Sequence, residues 1–348
     1  MSQLSTPPAV QIGDRVAIVS PSTARPASVP HVHELSMQRL RDELGLLPVE
    51  YPTTRRLGAS AEDRAADLMA AFADPDIRAV LATIGGDDQI TVLPYLDPAV
   101  VLADPKPFLG YSDNTNLLAW LAFHGIVGYH GGSTLVHLGR AGSLNPVTLE
   151  SLRHSLFGRG TDVELPQPAL FGEDEIDWYD PASLTVEPPM RAADPWVWHQ
   201  PDRIVTGRTW GGNLEIVQWL LGVDRWVRPV DGYAGCVLLL ETSEEMPAAE
   251  EVFRILRTMG ERGLLGQFGA VVVGRAKAST IGAVRSDEGR ATYRQEQRAA
   301  ILRALATYNP DAVVVFNVDI GHTDPQLTLP YGGLLTVDGP ARKVIAHY

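Results

Sequence analysis

Short apolar runs alternate with longer amphipathic segments along this chain, and their spacing predicts the order of its elements. Residues 15–19 read as a buried strand ending at Ser20-Pro21-Ser22, and a helical pattern follows over about 29–44, closed by Gly45. A second strand covers 47–51. The helix over 61–73 stops at Asp74-Pro75, since the residue before a proline is pushed out of the helical region. A third strand, 77–84, runs into Gly85-Gly86-Asp87-Asp88. The fourth, 107–110, leads through Tyr111-Ser112-Asp113 into a helix over about 114–123, and 125–129 makes a fifth. Strands and helices alternating in this way predict an α/β fold with a parallel sheet covered on both faces. Ligands in such sheets bind at the carboxyl ends of the strands, where Ser20, Gly85-Gly86 and Ser112 all fall.

From 145 to 202 the periodicity fails, and Pro166, Pro168, Pro181, Pro188, Pro189, Pro195 and Pro201 forbid long regular elements. The expected organisation is an N-terminal domain over 1–165, a connection over 166–205 and a second α/β domain over 206–348. In the last, residues 207–214 are expected to open a helix reaching 221, with Trp219 in the core. Apolar strands follow at 236–240, 268–273 and 312–316, separated by helices to about 259 and over 291–306, and short strands near 334–337 and 343–346 close the chain.

Composition narrows the function. The 348 residues carry 29 basic and 42 acidic side chains, a formal charge of -13, which repels phosphate backbones and anionic lipid; no nucleic-acid or membrane partner is expected. The one cysteine, Cys236, lies in an apolar strand pattern, so neither a disulfide framework nor a zinc set can be built. The N-terminus has no basic and apolar leader pattern, and a cytoplasmic location is expected.

Candidate chemistry centres on Gly110-Tyr111-Ser112-Asp113-Asn114. A serine on a sharp turn between a buried strand and a helix has its hydroxyl pushed out of the sheet, beside unpaired backbone N–H groups. Gly110 lets such a turn close; the fifth position of Gly-x-Ser-x-Gly is Asn114, which tolerates the left-handed region. The alternative role of Ser112 is a helix N-cap. A nucleophilic serine needs a base, and the base a group that orients it. Glu241 and His322 each follow a buried strand, and the order Ser112, Glu241, His322 suits nucleophile, acid and base. His130, which opens His-Gly-Gly, is the next candidate base; His124 reads as a helix-end residue and His137 as part of an exposed amphipathic face. Gly86 and Asp113 could direct backbone N–H groups at an oxyanion. Trp178, Trp196 and Trp198, in the irregular connection, are candidates for stacking on a flat ligand. Asp87-Asp88 and Glu244-Glu245 read as solvated loop or cap charge, and no metal-ligand spacing is present.

Six segments in order, Ile84-Gly85-Gly86-Asp87-Asp88, Leu93-Pro94-Tyr95-Leu96-Asp97, Gly110-Tyr111-Ser112-Asp113-Asn114-Thr115, Trp210-Gly211-Gly212-Asn213-Leu214, Leu240-Glu241-Thr242-Ser243-Glu244-Glu245 and Gly321-His322-Thr323, resemble the LD-carboxypeptidase and microcin C immunity family of serine peptidases. The resemblance spans about residues 10–345. It implies a Rossmann-like N-terminal domain carrying the serine and a swivelling C-terminal α/β domain supplying Glu and His. The implied triad is Ser112, Glu241 and His322, with the Gly86 and Asp113 amides as oxyanion hole, no metal or organic cofactor, and a homodimer. Asp87 and Asn213, within the matching segments, join Trp178, Trp196 and Trp198 as substrate-binding candidates. The murein-recycling branch usually carries Arg-Gly-Gly-Tyr-Gly where this chain has Ile84 to Asp88, losing an arginine suited to a substrate carboxylate. The Gly-Gly-Asp-Asp form and the tryptophan-bearing connection resemble the microcin branch, which cleaves aminoacyl or peptidyl nucleotide conjugates. Removal of D-alanine from muramoyl tetrapeptide is the alternative, and a non-catalytic ligand-binding protein is a third.

Overall fold

The computed structural model describes residues 4–348. Its first sheet collects β1 (Arg15–Val19), β2 (Leu47–Glu50), β3 (Ile77–Ala82), β4 (Phe108–Gly110) and β5 (Gly128–His130). The intervening helices are α1 (Pro30–Asp42), α2 (Ala61–Ala73), α3 (Pro98–Ala103) and α4 (Thr115–Phe123). All neighbouring pairs among these strands are parallel. β3 buries Val80, Leu81 and Ala82 in succession, the continuous apolar run that a strand covered on both faces requires.

The chain continues through α5 (Pro146–Phe157), β6 (Asp162–Glu164), a small hairpin of β7 (Leu170–Phe171) and β8 (Arg191–Ala192), then β9 (Val197–His199) and β10 (Ile204–Asn213). It ends with α6 (Leu214–Val223), β11 (Val237–Glu241), α7 (Ala249–Glu261), β12 (Ala270–Gly274), α8 (Asp287–Tyr308), β13 (Val313–Val318), β14 (Leu329–Tyr331), β15 (Leu334–Asp338) and β16 (Lys343–His347). The second sheet has the order β6-β16-β15-β10-β11-β12-β13-β9, with β10 to β13 parallel at its centre.

Three departures from the sequence pattern are informative. Residues 207–213 do not open a helix: they are the second half of β10, and only Leu214 onward is helical. Its glycines hid the strand, because they supply no side-chain alternation; at Gly211, φ is +117° and an added Cβ would collide with the Leu239 carbonyl of the adjacent strand. The stretch from 145 on, where the periodicity fails, contains α5. Its buried face includes Thr148, Ser151 and Ser155, so the apolar period was masked; the Thr148 and Ser151 hydroxyls accept from the Gln326 and Thr328 amides at 2.9 and 2.7 Å. Trp219 is 37% exposed on α6 rather than in the core.

The two sheets also exchange strands. β14 returns from late in the chain to pair antiparallel with β5, while β6, just before the connection, and β9, within it, edge the second sheet. One continuous apolar cluster runs from Val16 and Phe108 to Val272 and Leu335. Among the described residues no helix is long and apolar enough to cross a membrane.

Candidate active site

Ser112 follows β4 at its carboxyl end, with φ +60°. A non-glycine residue there carries strain of about 1–3 kcal/mol, so the surroundings must impose it. They do so by close packing. A Cβ on Gly110 would lie 2.7 Å from Asn114 Cβ, and one on Gly85 would lie 2.9 Å from Ser112 Cβ. Asn114 is right-handed, not left-handed as its place in the motif had implied; it serves by hydrogen bonding. Its amide nitrogen donates to the Ile84 and Tyr111 carbonyls at 3.2 and 3.1 Å, and its oxygen accepts from Gln89 at 2.8 Å.

The Asp113 side chain is fully buried and ties the serine turn to the loop after β3. It accepts from Ser22 Oγ, from the Asp88 and Gln89 amides at 3.1 and 2.9 Å, and from Asn116 at 2.8 Å. Burial raises its pKa, opposed by the Ser22 and Gln89 hydrogen bonds. The Gly85-Gly86 segment is thereby held against the serine: the added Cβ on Gly85 would stand 3.2 Å from the Asp113 nitrogen. Among the described residues neither the Gly86 nor the Asp113 amide donates to a protein acceptor.

Glu241 ends β11 and is 1% exposed; His322 lies in the loop after β13. The His322 Nδ1 is 2.7 Å from Glu241 Oε2, and its Nε2 is 3.2 Å from Glu244 Oε2. Burial disfavours the charged ring, but the carboxylates of Glu241 and Glu244 outweigh it and raise the His322 pKa to about 9. The ring of Tyr111, next to Ser112, is 4.8 Å from the imidazole between centroids.

Ser112 and His322 line one crevice of about 650 Å³, within the range of small-molecule sites. Gly86, Asp87 and Trp178 also line it. His31 Nε2 lies 2.8 Å from the Trp178 carbonyl, and Arg25 donates to the Tyr179 hydroxyl at 3.1 Å, so both aromatics are fixed to the first-sheet side. Trp196 and Trp198 are not in the crevice wall. Trp196 is 7% exposed in the core, and Trp198 is on β9, which pairs with β13 at the far sheet edge. Asn213 is also absent from the wall: it is 1% exposed and its side-chain oxygen caps α6 by accepting from the Ile216 amide at 3.0 Å.

Among the rival histidines, His130 is fully buried with Nε2 3.0 Å from the Ile320 carbonyl, and His124 ends α4. His137 is not on an exposed face but is 6% exposed, inside a π-helical turn over Thr134–Leu138, and it lines the crevice. Glu244, read from the sequence as solvated charge, is exposed and also touches His322. No periodicity announces either position; the π-helical turn breaks the register by which a helix face is counted. Among the described residues no group of three or more His, Cys, Asp and Glu is arranged to hold a metal ion.

Comparison with known proteins places this geometry. Residues 16–131 match the LD-carboxypeptidase N-terminal domain and residues 206–337 the LD-carboxypeptidase C-terminal domain. The microcin C7 self-immunity protein MccF of Escherichia coli is 26% identical over 80% of this chain and 76% of its own. A solved structure of MccF in complex with aspartyl sulfamoyl adenosine has a TM-score of 0.85, with 22% identity over 99% of this chain and 98% of that one. An MccF-like protein of Streptococcus pneumoniae in complex with AMP gives 0.84, with 26% identity over 97% and 99%. The murein tetrapeptide carboxypeptidase of Pseudomonas aeruginosa is 34% identical over 34% of this chain and 39% of its own. The two domain matches, in order and covering most of the chain, show that this protein belongs to the LD-carboxypeptidase family of serine peptidases.

Proposed function

We propose that this chain hydrolyses the amide of aminoacyl or peptidyl nucleotide conjugates, with Ser112 as nucleophile, His322 as base and Glu241 orienting the base. The observation that carries the reading is the 2.7 Å Glu241–His322 contact in a crevice shared with a serine held at φ +60°. In the proposed mechanism Nε2 of His322 takes the Ser112 proton as Oγ bonds to the substrate carbonyl carbon. The oxyanion that forms is met by the Gly86 and Asp113 amides. The C–N bond then breaks, the leaving nitrogen receives the proton from His322, and water repeats the sequence on the acyl-enzyme. The Glu244 carboxylate must leave Nε2 before the first transfer.

The nucleotide part of the reading is supported by Trp178 and Tyr179 in the crevice wall, with Arg25 beside them, and by the ligands of the MccF and MccF-like complexes. Murein tetrapeptide cleavage is the second reading, favoured by the Pseudomonas aeruginosa relative. A cytoplasmic homodimer completes the proposal; light scattering checks the dimer. A side-by-side assay on an LD-tetrapeptide and an aminoacyl sulfamoyl adenosine separates the two substrates, and turnover of the tetrapeptide alone overturns the first. In either assay Ser112→Ala is expected to lose at least roughly a thousandfold in kcat. Near-normal turnover by that variant would remove the serine mechanism altogether.

A further inference from the structure

The cations in the crevice wall are largely committed. Arg140 pairs with Asp324 at 2.7 Å and Glu187 at 2.8 Å, Lys277 pairs with Glu175 at 2.7 Å, and Arg25 is turned to the Tyr179 hydroxyl. Several wall carboxylates are equally committed, Glu173 to Arg290 and Arg294 and Asp174 to Arg290 and Arg191. Around His322 the balance differs. Among the described residues Glu245 has no side-chain partner, and Glu244 has only His322. Both are exposed to the crevice.

A separate observation marks the same place. His137 is more than nine-tenths buried, and its Nδ1 is 3.2 Å from the Ser133 carbonyl. A carbonyl can only accept, so Nδ1 carries the hydrogen and Nε2 has its lone pair free. Among the described residues that Nε2 has no partner, although the residue lines the crevice. Burial lowers the His137 pKa to about 4, which keeps the ring neutral and an acceptor. Between His137 and His322 stands the Tyr111 ring, 5.5 Å from the first and 4.8 Å from the second. An acceptor nitrogen, an aromatic face, the carboxylate of Glu245 and that of Glu244, held only by His322, form a surface for a positive group.

We propose that the pocket of Tyr111, His137, Glu244 and Glu245 receives an ammonium or guanidinium on the acyl portion of the substrate, so that lysyl-type or arginyl-type acyl groups are preferred; this rests on the amide-hydrolase reading above. The same contact serves the reaction, because a substrate cation that draws Glu244 to itself takes that carboxylate off His322 Nε2. Preference and activation are thereby coupled.

The test uses three aminoacyl sulfamoyl adenosines that differ only in the acyl group: lysyl, norleucyl, which keeps the chain but lacks the ammonium, and glutamyl. Calorimetric titration of Ser112→Ala measures binding without turnover, and Ser112→Gly serves if the first variant is not folded. Lysyl is expected to bind about tenfold more tightly than norleucyl, with glutamyl weakest. Adding Glu245→Gln should narrow the lysyl–norleucyl gap to within about threefold. Equal affinities, a glutamyl preference, or no binding of any of the three overturns the cationic pocket. Turnover of the same compounds by the unaltered protein tests the hydrolase reading separately. A lysyl preference in binding without hydrolysis would withdraw that reading and leave the pocket in place.

Discussion

Ser112 concentrates the tension between stability and activity into one residue. Its φ of +60° costs the fold free energy, and glycine at that position does not incur the cost. Ser112→Gly is therefore expected to raise stability by about 1 kcal/mol while abolishing turnover, checked by denaturant melts alongside the assay. His322 sets a second opposition. Its folded pKa of about 9 lies above the ordinary 6.5, so its contribution to stability is complete below about pH 6.5 and is lost as pH rises through 9. Denaturation between pH 6 and pH 10 should show a decline on the order of 2–3 kcal/mol, largely absent in Glu241→Gln. As the proposed base must be unprotonated, kcat/KM should instead climb over the same interval. At this scale the candidate serine, glutamate and histidine stood out in the sequence because each follows an apolar strand; spacing left His130 as a rival base, and the family resemblance favoured His322. His137 and Glu244 were not, since burial and pairing with a distant loop leave no local signature.

At the scale of elements, the carboxyl end of β4 and the loop after β13 bring Ser112 and His322 to one crevice, and the end of β11 sets the buried Glu241 against His322. Apolar runs made those strands readable. β10 escaped notice because glycine gives no alternation, and α5 because serine and threonine occupy its inner face. Trp196 and Trp198 escaped the crevice for a related reason: a segment rich in proline still supplied an edge strand, and pairing to β13 took their side chains elsewhere. Asn213 was legible as important but not as a cap. Asn213→Ala is expected to cost about 1 kcal/mol through loss of the α6 N-cap, with substrate KM little changed, read from thermal melts and steady-state kinetics.

For the whole molecule, the exchange of strands decides how it comes apart. β14 completes the sheet that carries Ser112, and Tyr331 both accepts from the Gly211 amide at 3.3 Å and donates to the Gly211 carbonyl at 3.1 Å, joining that strand to β10. With one apolar cluster across both sheets, heating should give a single calorimetric transition, and residues 206–348 expressed alone should not reach a native near-ultraviolet spectrum. Two separate transitions would mean that the halves unfold independently. The linear pattern of strands could not announce this exchange, because pairing between distant segments leaves no trace in local periodicity.

That late strand also sets a clock. Ser112 leaves the ribosome roughly 200 residues before His322 and β14, an interval on the order of 10–40 s at ordinary rates of synthesis. During it the serine turn exists without its proposed base and without the strand that finishes its sheet. A nascent chain that has not yet reached His322 and β14 lacks the proposed base and the last strand of the serine-bearing sheet, so the proposed amide hydrolysis can begin only after both have been made.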